Sequence, residues 1–122
     1  MLTMRQAAKE VGMSYDTLKF YCKEELVPNI HRDKNNYRIF SDENMVWLKS
    51  LQCFKKAGMS IKELKNFLSL SKAGNETLAI RREILINQKD LLMEKREEID
   101  HNLDYIEHKI AFYDDILKKN TK

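Results

Sequence analysis

Glycine and proline are scarce in this sequence, with three Gly and one Pro in 122 residues. That scarcity excludes collagen-like and low-complexity chains, and it favours a protein made mostly of helices joined by few turns. Cysteine is scarce too. Cys22 and Cys53 stand 31 positions apart with no close-spaced partner, which fits neither a disulfide framework nor the usual spacing of a zinc site. Both are expected to be reduced thiols. No apolar run approaches the length that crosses a bilayer, and Met1 to Glu10 lack the apolar core of a secretory signal, so a cytoplasmic setting without membrane contact is expected. Also missing are a glycine-rich phosphate loop and a Ser/His/Asp grouping in plausible proximity. Neither enzyme activity nor a cofactor is expected.

What is present is a 43% hydrophobic and 34% charged chain, long enough for one small core plus an extension. The net charge of +3 is unevenly spread. Residues 1–72 hold thirteen Lys and Arg against eight Asp and Glu, whereas residues 73–122 hold nine against eleven. A basic front and a slightly acidic rear are expected where only the front meets a polyanion.

Helix signals recur along the front. Thr3 and Gln6 have the spacing of a capping box, with Ala7, Ala8 and Val11 as a small apolar face, and the first helix ends near Gly12. Ser14 caps a second helix over about Tyr15 to Glu24, in which Leu18, Tyr21 and Cys22 point inward. Two short helices joined by a brief glycine-containing turn form a helix-turn-helix pattern, whose second helix enters the major groove. After Pro28, the polar run Asp33 to Asn36 separates Ile30 from Tyr37, Ile39 and Phe40, which predicts a small two-stranded wing carrying His31, Arg32, Lys34 and Arg38. Ser41 opens a third helix with Trp47, Leu48, Leu51 and Phe54 as its stripe and Gly58 as its stop. Ser60 with Glu63 opens a fourth, whose Ile61, Leu64, Phe67 and Leu68 face inward. Residues 1–72 thus read as one head domain.

From Glu76 to about Lys118 no Gly or Pro occurs, and Leu78, Leu85, Leu92, Ile99, Ile106 and Tyr113 keep a strict seven-residue repeat. As one helix, residues 76–118 would reach about 64 Å at ~1.5 Å per residue, too far for so small a head to cover. Leu103, Ile110 and Leu117 widen the stripe in its second half, where Arg82, Lys89 and Arg96 hold the equivalent earlier places. Pairing of the later part with a second copy of the chain is the simplest solution. The expected dimerisation residues are Leu85, Leu92, Ile99, Leu103, Ile106, Ile110, Tyr113 and Leu117.

The segment Thr17-Leu18-Lys19-Phe20-Tyr21, then Leu26-Val27-Pro28, then Asn36-Tyr37-Arg38-Ile39-Phe40-Ser41, closely resembles the MerR family of transcription regulators over roughly the first 70 residues. The resemblance implies a mainly α fold: a winged helix-turn-helix head followed by a long helix that forms an antiparallel coiled-coil dimer. It also implies a homodimer that binds double-stranded promoter DNA with an overlong spacer, then bends and untwists it so that RNA polymerase can engage, with an inducer shifting a bistable complex. The stretch from Cys53 to Leu68 looks like the short branch of the family that senses aldehydes and other thiol-reactive species. Four positions depart from the pattern: Lys19 stands for the usual Arg, Phe20 for a frequent Tyr, and Glu25 and Asn36 for Gly.

Tyr15, Asp16, Lys19 and Lys23 fall on the outward side of the second helix, where the first two suit base edges and the lysines suit phosphates; a solvated face with an Asp16 to Lys19 pair is the plainer reading. By resemblance, Tyr21, Tyr37 and Arg38 clamp phosphates, although the rings also suit packing of the wing. With Thr3, Ser14, Thr17, Phe20, Arg32 and Lys34, these form the expected DNA-contacting set. Cys53, near Lys49, Lys55 and Lys56, is the candidate sensing thiol, against a small buried hydrophobe; Cys22 reads as core. His101, Asp104 and His108 share helical spacing, but a charged outer coil face explains them and no metal is expected. The sequence stops soon after the long helix, so a signal is expected to be read at Cys53, at the dimer interface, or in a pocket lined by Trp47, Phe54 and the long helix. An interaction protein whose coil takes a different partner is the competing reading.

Overall fold

A computed structural model describes residues 1–121 as β1 (Leu2–Thr3), α1 (Met4–Val11), α2 (Tyr15–Lys23), β2 (His31–Arg32), β3 (Arg38–Phe40), α3 (Asp42–Lys56), α4 (Ile61–Lys72), a 3₁₀ turn (Asn75–Thr77) and α5 (Leu78–Asn120). The chain divides into two compact units, the first spanning Met1–Arg81 and the second beginning at Arg82. Among the described residues no helix is long and apolar enough to cross a membrane.

Local rules explain each helix of the first unit. Thr3, Ser41 and Ser60 all form reciprocal capping boxes, with Gln6, Asn44 and Glu63 respectively. Ser14 caps α2 through its hydroxyl, which accepts the Thr17 N–H at 3.0 Å. Three helices end in the same way, with a residue of positive φ just past the last turn: Gly12 (φ 81°), Glu25 (φ 58°) and Gly58 (φ 103°). At Glu25 the Leu26 N–H reaches the Tyr21 carbonyl and the Glu25 N–H reaches that of Cys22, the Schellman pattern that satisfies orphan carbonyls. The left-handed conformation suits glycine and strains glutamate.

The sheet has three strands in the order β1-β3-β2, both pairings antiparallel, with Leu2 opposite Phe40 and Arg32 opposite Arg38. The expected two-stranded wing therefore gains a strand from the N-terminus. Two residues before a helix cap are too few to show an alternating pattern, so β1 is set by pairing rather than by sequence. In the wing turn, Asp33 accepts the Asn35 and Tyr37 N–H groups at 2.9 and 3.0 Å, and Asn36 takes φ 66°.

The core lies wholly in this unit. Leu18, Leu26, Phe40, Leu48, Leu51, Met59 and Leu64 are fully buried, so α2, the loop after it, β3, α3 and α4 share one centre. Trp47 is half-buried and stacks on Phe67, which also takes Phe54 edge-on. Two side chains of α3 hold the loop after α2: Asn44 Nδ2 donates to the Pro28 carbonyl at 2.8 Å, and Trp47 Nε1 to that of Leu26 at 2.6 Å. Asn44 is buried, and its Oδ1 accepts the Ser41 N–H.

The second unit is the remainder of α5, which has no buried residue along its whole length. Ile99, Leu103, Ile106, Ile110, Tyr113 and Leu117 are each more than half exposed, and Leu85 and Leu92 are about 40% exposed. α5 starts at Leu78 rather than Glu76 because the 3₁₀ turn occupies Asn75–Thr77.

Two stability changes are expected. Asn44→Ala removes a donor and an acceptor at a buried site and should lower unfolding free energy by about 1–3 kcal/mol in urea titrations. Glu25→Gly relieves the left-handed strain while adding unfolded-state freedom, and should raise it by about 0.5–1 kcal/mol in the same measurement.

Candidate nucleic-acid interface

The expected DNA-contacting residues come from β1, α2 with its cap Ser14, and the wing, and nine of the thirteen line one of two hollows while Ser14, Lys19, Lys23 and Lys34 line neither. A concavity of about 390 Å³ between the start of α1 and the wing is lined by Thr3, Met4, Arg5, Tyr15, Arg32, Asp33, Asn36, Tyr37, Arg38 and Ile39. It gathers three guanidiniums and two phenol rings. Among the described residues none of Arg5, Arg32 and Arg38 forms an ion pair. Arg32 instead donates from Nη1 to the Asn36 carbonyl at 2.8 Å, which braces the wing turn. Tyr37 is 70% exposed, while Arg38 is half-buried at the start of the central strand β3.

Arg5 is the residue that sequence reasoning missed. Its guanidinium lies over the Tyr15 ring, 5.8 Å from the centroid, a cation–π contact that ties α1 to α2. A signal was present: α1 has no acidic residue in its first turn and has this arginine there instead. A cation at a helix N-terminus opposes the macrodipole, so helix formation does not explain it.

Asp16, Thr17, Phe20 and Tyr21 border a separate, shallow depression completed by Lys55 and Ile61. Phe20 is 45% exposed and tilts against the Tyr21 ring at 6.0 Å, whereas Tyr21 is buried in the core. Burial pushes the Tyr21 hydroxyl above its ordinary pKa. Its ring is part of the packing of α2 in the head. Asp16, Lys19 and Lys23 are exposed, and among the described residues no ion pair joins Asp16 to Lys19. Thr3 and Ser14 spend their hydroxyls on helix caps, Ser14 donating to Thr17 Oγ1 at 2.8 Å; Lys34 is exposed in the wing turn.

The two thiols differ. Cys53 is exposed on α3, so the reading of it as a buried hydrophobe does not hold. Cys22 is half-buried rather than fully core, because it sits toward the wing; burial pushes its thiol pKa up, against the opposing pull of Arg38 and Arg32. Trp47 and Phe54 pack on Phe67 and form no lining of the concavities described above. On α5, His108 Nδ1 donates to the Asp104 carbonyl at 2.8 Å, and that bond with the nearby carboxylate raises its pKa.

Comparison with known proteins agrees with this geometry. Residues 2–71 match the MerR HTH family of regulatory proteins. An HTH-type transcriptional regulator of Haemophilus influenzae is 40% identical over 111 residues, covering 91% of this chain and 82% of that protein. AdhR of Bacillus subtilis, another HTH-type transcriptional regulator, is 32% identical over 93 residues, covering 76% and 66%. Among solved structures, HiNmlR, a MerR family regulator lacking the sensor domain and bound to promoter DNA, superposes with a TM-score of 0.84 at 39% identity over 92% of this chain and 89% of that one. A MerR family transcriptional regulator from Bacillus thuringiensis gives 0.81 at 29% identity over 89% and 96%. The helix-turn-helix pair, the wing beside it and a family match that takes in the whole of both lead to one conclusion: the chain belongs to the MerR family of DNA-binding transcription regulators.

Proposed function

We propose that this regulator acts in the cytoplasm as a homodimer on double-stranded promoter DNA, with residues 1–72 as the DNA-binding head and residues 76–118 as the dimerisation helix. The observation that carries the reading is the concavity holding Arg5, Arg32 and Arg38 with Tyr15 and Tyr37, because three unneutralised guanidiniums beside phenol hydroxyls suit a pair of backbone phosphates. Tyr15, Asp16, Lys19 and Lys23 on the outward side of α2 then meet the major groove. Lys34 on the wing turn follows the flanking backbone.

The apolar seam of α5 supports the pairing. Ile99, Leu103, Ile106, Ile110, Tyr113 and Leu117 alternate at spacings of four and three, and a monomer leaves all of them in water. Antiparallel pairing with a second copy gives the dimer two heads, one for each half of a symmetric site. The structural relative bound to promoter DNA lacks a sensor domain and is of comparable length, which suits a regulator of this size. On a promoter with an overlong spacer, such a dimer distorts the duplex until RNA polymerase engages both elements. Cys53, exposed and close in sequence to Lys49, Lys55 and Lys56, is the proposed point of attack for an aldehyde or other electrophile.

Titrating DNA binding across salt concentrations tests the reading. Arg5→Ala and Arg38→Ala should each reduce the slope of log affinity against log salt by about one, the loss of one phosphate contact. The wild type should sediment at twice its chain mass, and Ile106→Glu should leave a monomer that has lost most of its affinity. A wild type that stays monomeric both free and on duplex DNA overturns the proposal.

The sensing role has its own measurement. An electrophile in limiting amount should label Cys53 at least about tenfold faster than Cys22, and Cys53→Ser should abolish induction of a reporter promoter. Unchanged induction in Cys53→Ser assigns the signal to a small molecule bound elsewhere.

A further inference from the structure

The outward side of α2 carries three charged residues that are not alike. Lys19 and Lys23 are exposed cations that any backbone phosphate can take, whatever the sequence. Asp16 is the one acid in α2, exposed in its first turn, and a phosphate can only repel it. Among the described residues its carboxylate has neither an ion pair nor a hydrogen bond. The helix does not need it as a cap, because Ser14 already accepts the Thr17 N–H at 3.0 Å and donates to the Thr17 hydroxyl at 2.8 Å. The helix dipole favours an acid in this turn, and that benefit is present with or without DNA.

Asp16 borders the shallow depression together with Thr17, Phe20, Tyr21, Lys55 and Ile61. Lys55 shares the hollow but forms no ion pair with it. Phe20 is 45% exposed and Ile61 is half-buried, so apolar surface lies beside the carboxylate. When a duplex covers such a surface, water leaves, and an unmatched carboxylate then costs more than it did in solvent.

An ionised carboxylate has only acceptors to offer. Along the major groove the donors are the N4 amino group of cytosine and the N6 amino group of adenine. Guanine presents N7 and O6, and thymine presents O4 and its methyl, none of which donates. Adenine also sets its N7 lone pair beside the amino group, which repels the second carboxylate oxygen, whereas cytosine has no acceptor there. The N-terminal residues of a recognition helix are those that reach base edges, and Asp16 is the second residue of α2.

We propose that Asp16 is a specificity-determining residue of the DNA site, its carboxylate accepting a hydrogen bond from the N4 amino group of one cytosine per bound head. It admits cytosine by attraction and turns away guanine and thymine by repulsion, while the lysines beside it supply affinity without sequence information. The inference rests on the reading that the outward side of α2 meets the major groove.

The test uses the full chain as wild type, Asp16→Ala, Asp16→Asn and the double variant Lys19→Ala/Lys23→Ala. Each form selects duplexes from a random pool, and affinities are then measured on the wild-type choice and on its single-base changes. The wild type should require cytosine at one position per bound head and lose about tenfold when that base pair is changed. Asp16→Ala should lose less than about threefold there and keep wild-type preferences at every other position, which shows that its head is folded. Asp16→Asn should turn to adenine at the same position, because an amide matches the N6 and N7 pair. An Asp16→Ala profile unchanged at every position, with affinity raised uniformly, overturns the proposal and leaves the carboxylate as a helix-end charge. The lysine variant separates that result from failure of the groove reading. Weaker binding of the lysine variant on all sequences, beside an unchanged Asp16→Ala profile, sinks only the role of Asp16. Undiminished binding of the lysine variant sinks the placement of α2 in the groove, and the proposal with it.

Discussion

The loop from Leu26 to Pro28 is pinned to α3 by two side chains, Asn44 on the Pro28 carbonyl and Trp47 on that of Leu26, and the placement of the wing depends on that pinning. The loop leaves α2 through a strained left-handed Glu25 and leads directly into β2. Without an anchor, the second helix of the helix-turn-helix pair and the wing strands would be joined only by a flexible tether. With it, Tyr15 on α2 and Arg32, Tyr37 and Arg38 on the wing border one concavity. Asn44 serves twice, since its carbonyl oxygen also completes the cap of its own helix. Its burial at 3% exposure makes both bonds obligatory, because an unmet amide there has no water to turn to.

The same arrangement explains why the basic character of the front becomes a site. Thirteen cations spread over 72 residues would give only a diffuse field. The fold brings Arg5 from α1, Arg32 from β2 and Arg38 from β3 to one hollow, with the Tyr15 ring beneath Arg5. Guanidiniums held without a carboxylate partner retain their donors for an incoming anion. Asp33, the one acid in the lining, is occupied by the N–H groups of Asn35 and Tyr37 and serves to shape the turn.

The rest of the molecule follows a different logic. α5 runs 43 residues without a buried side chain, so its order along that length comes from helix propensity and, in the proposed dimer, from a second copy. A polar knot at Gly74, Thr77 and Arg81 belongs to the first unit and is built from hydrogen bonds rather than apolar contact.

Much of this was legible in the residue order because it is local. Capping boxes at Thr3 and Ser60, the glycine stops, the apolar stripes and the seven-residue repeat of the rear helix all depend on neighbours within about two turns, and the structure has each of them. Contacts between segments distant in sequence were not legible. The strand Leu2–Thr3 exists because Phe40 and Ile39 come to lie beside it, and Arg5 joins the concavity because α1 packs beside the wing. Cys53 points to solvent, although free cysteine is often core. Sequence alone determined the helices, their ends and the family pattern, since these rest on spacing. Which side chains share a surface was decided only by the tertiary packing, because α1, α2 and the wing reach that surface from three separate stretches of chain.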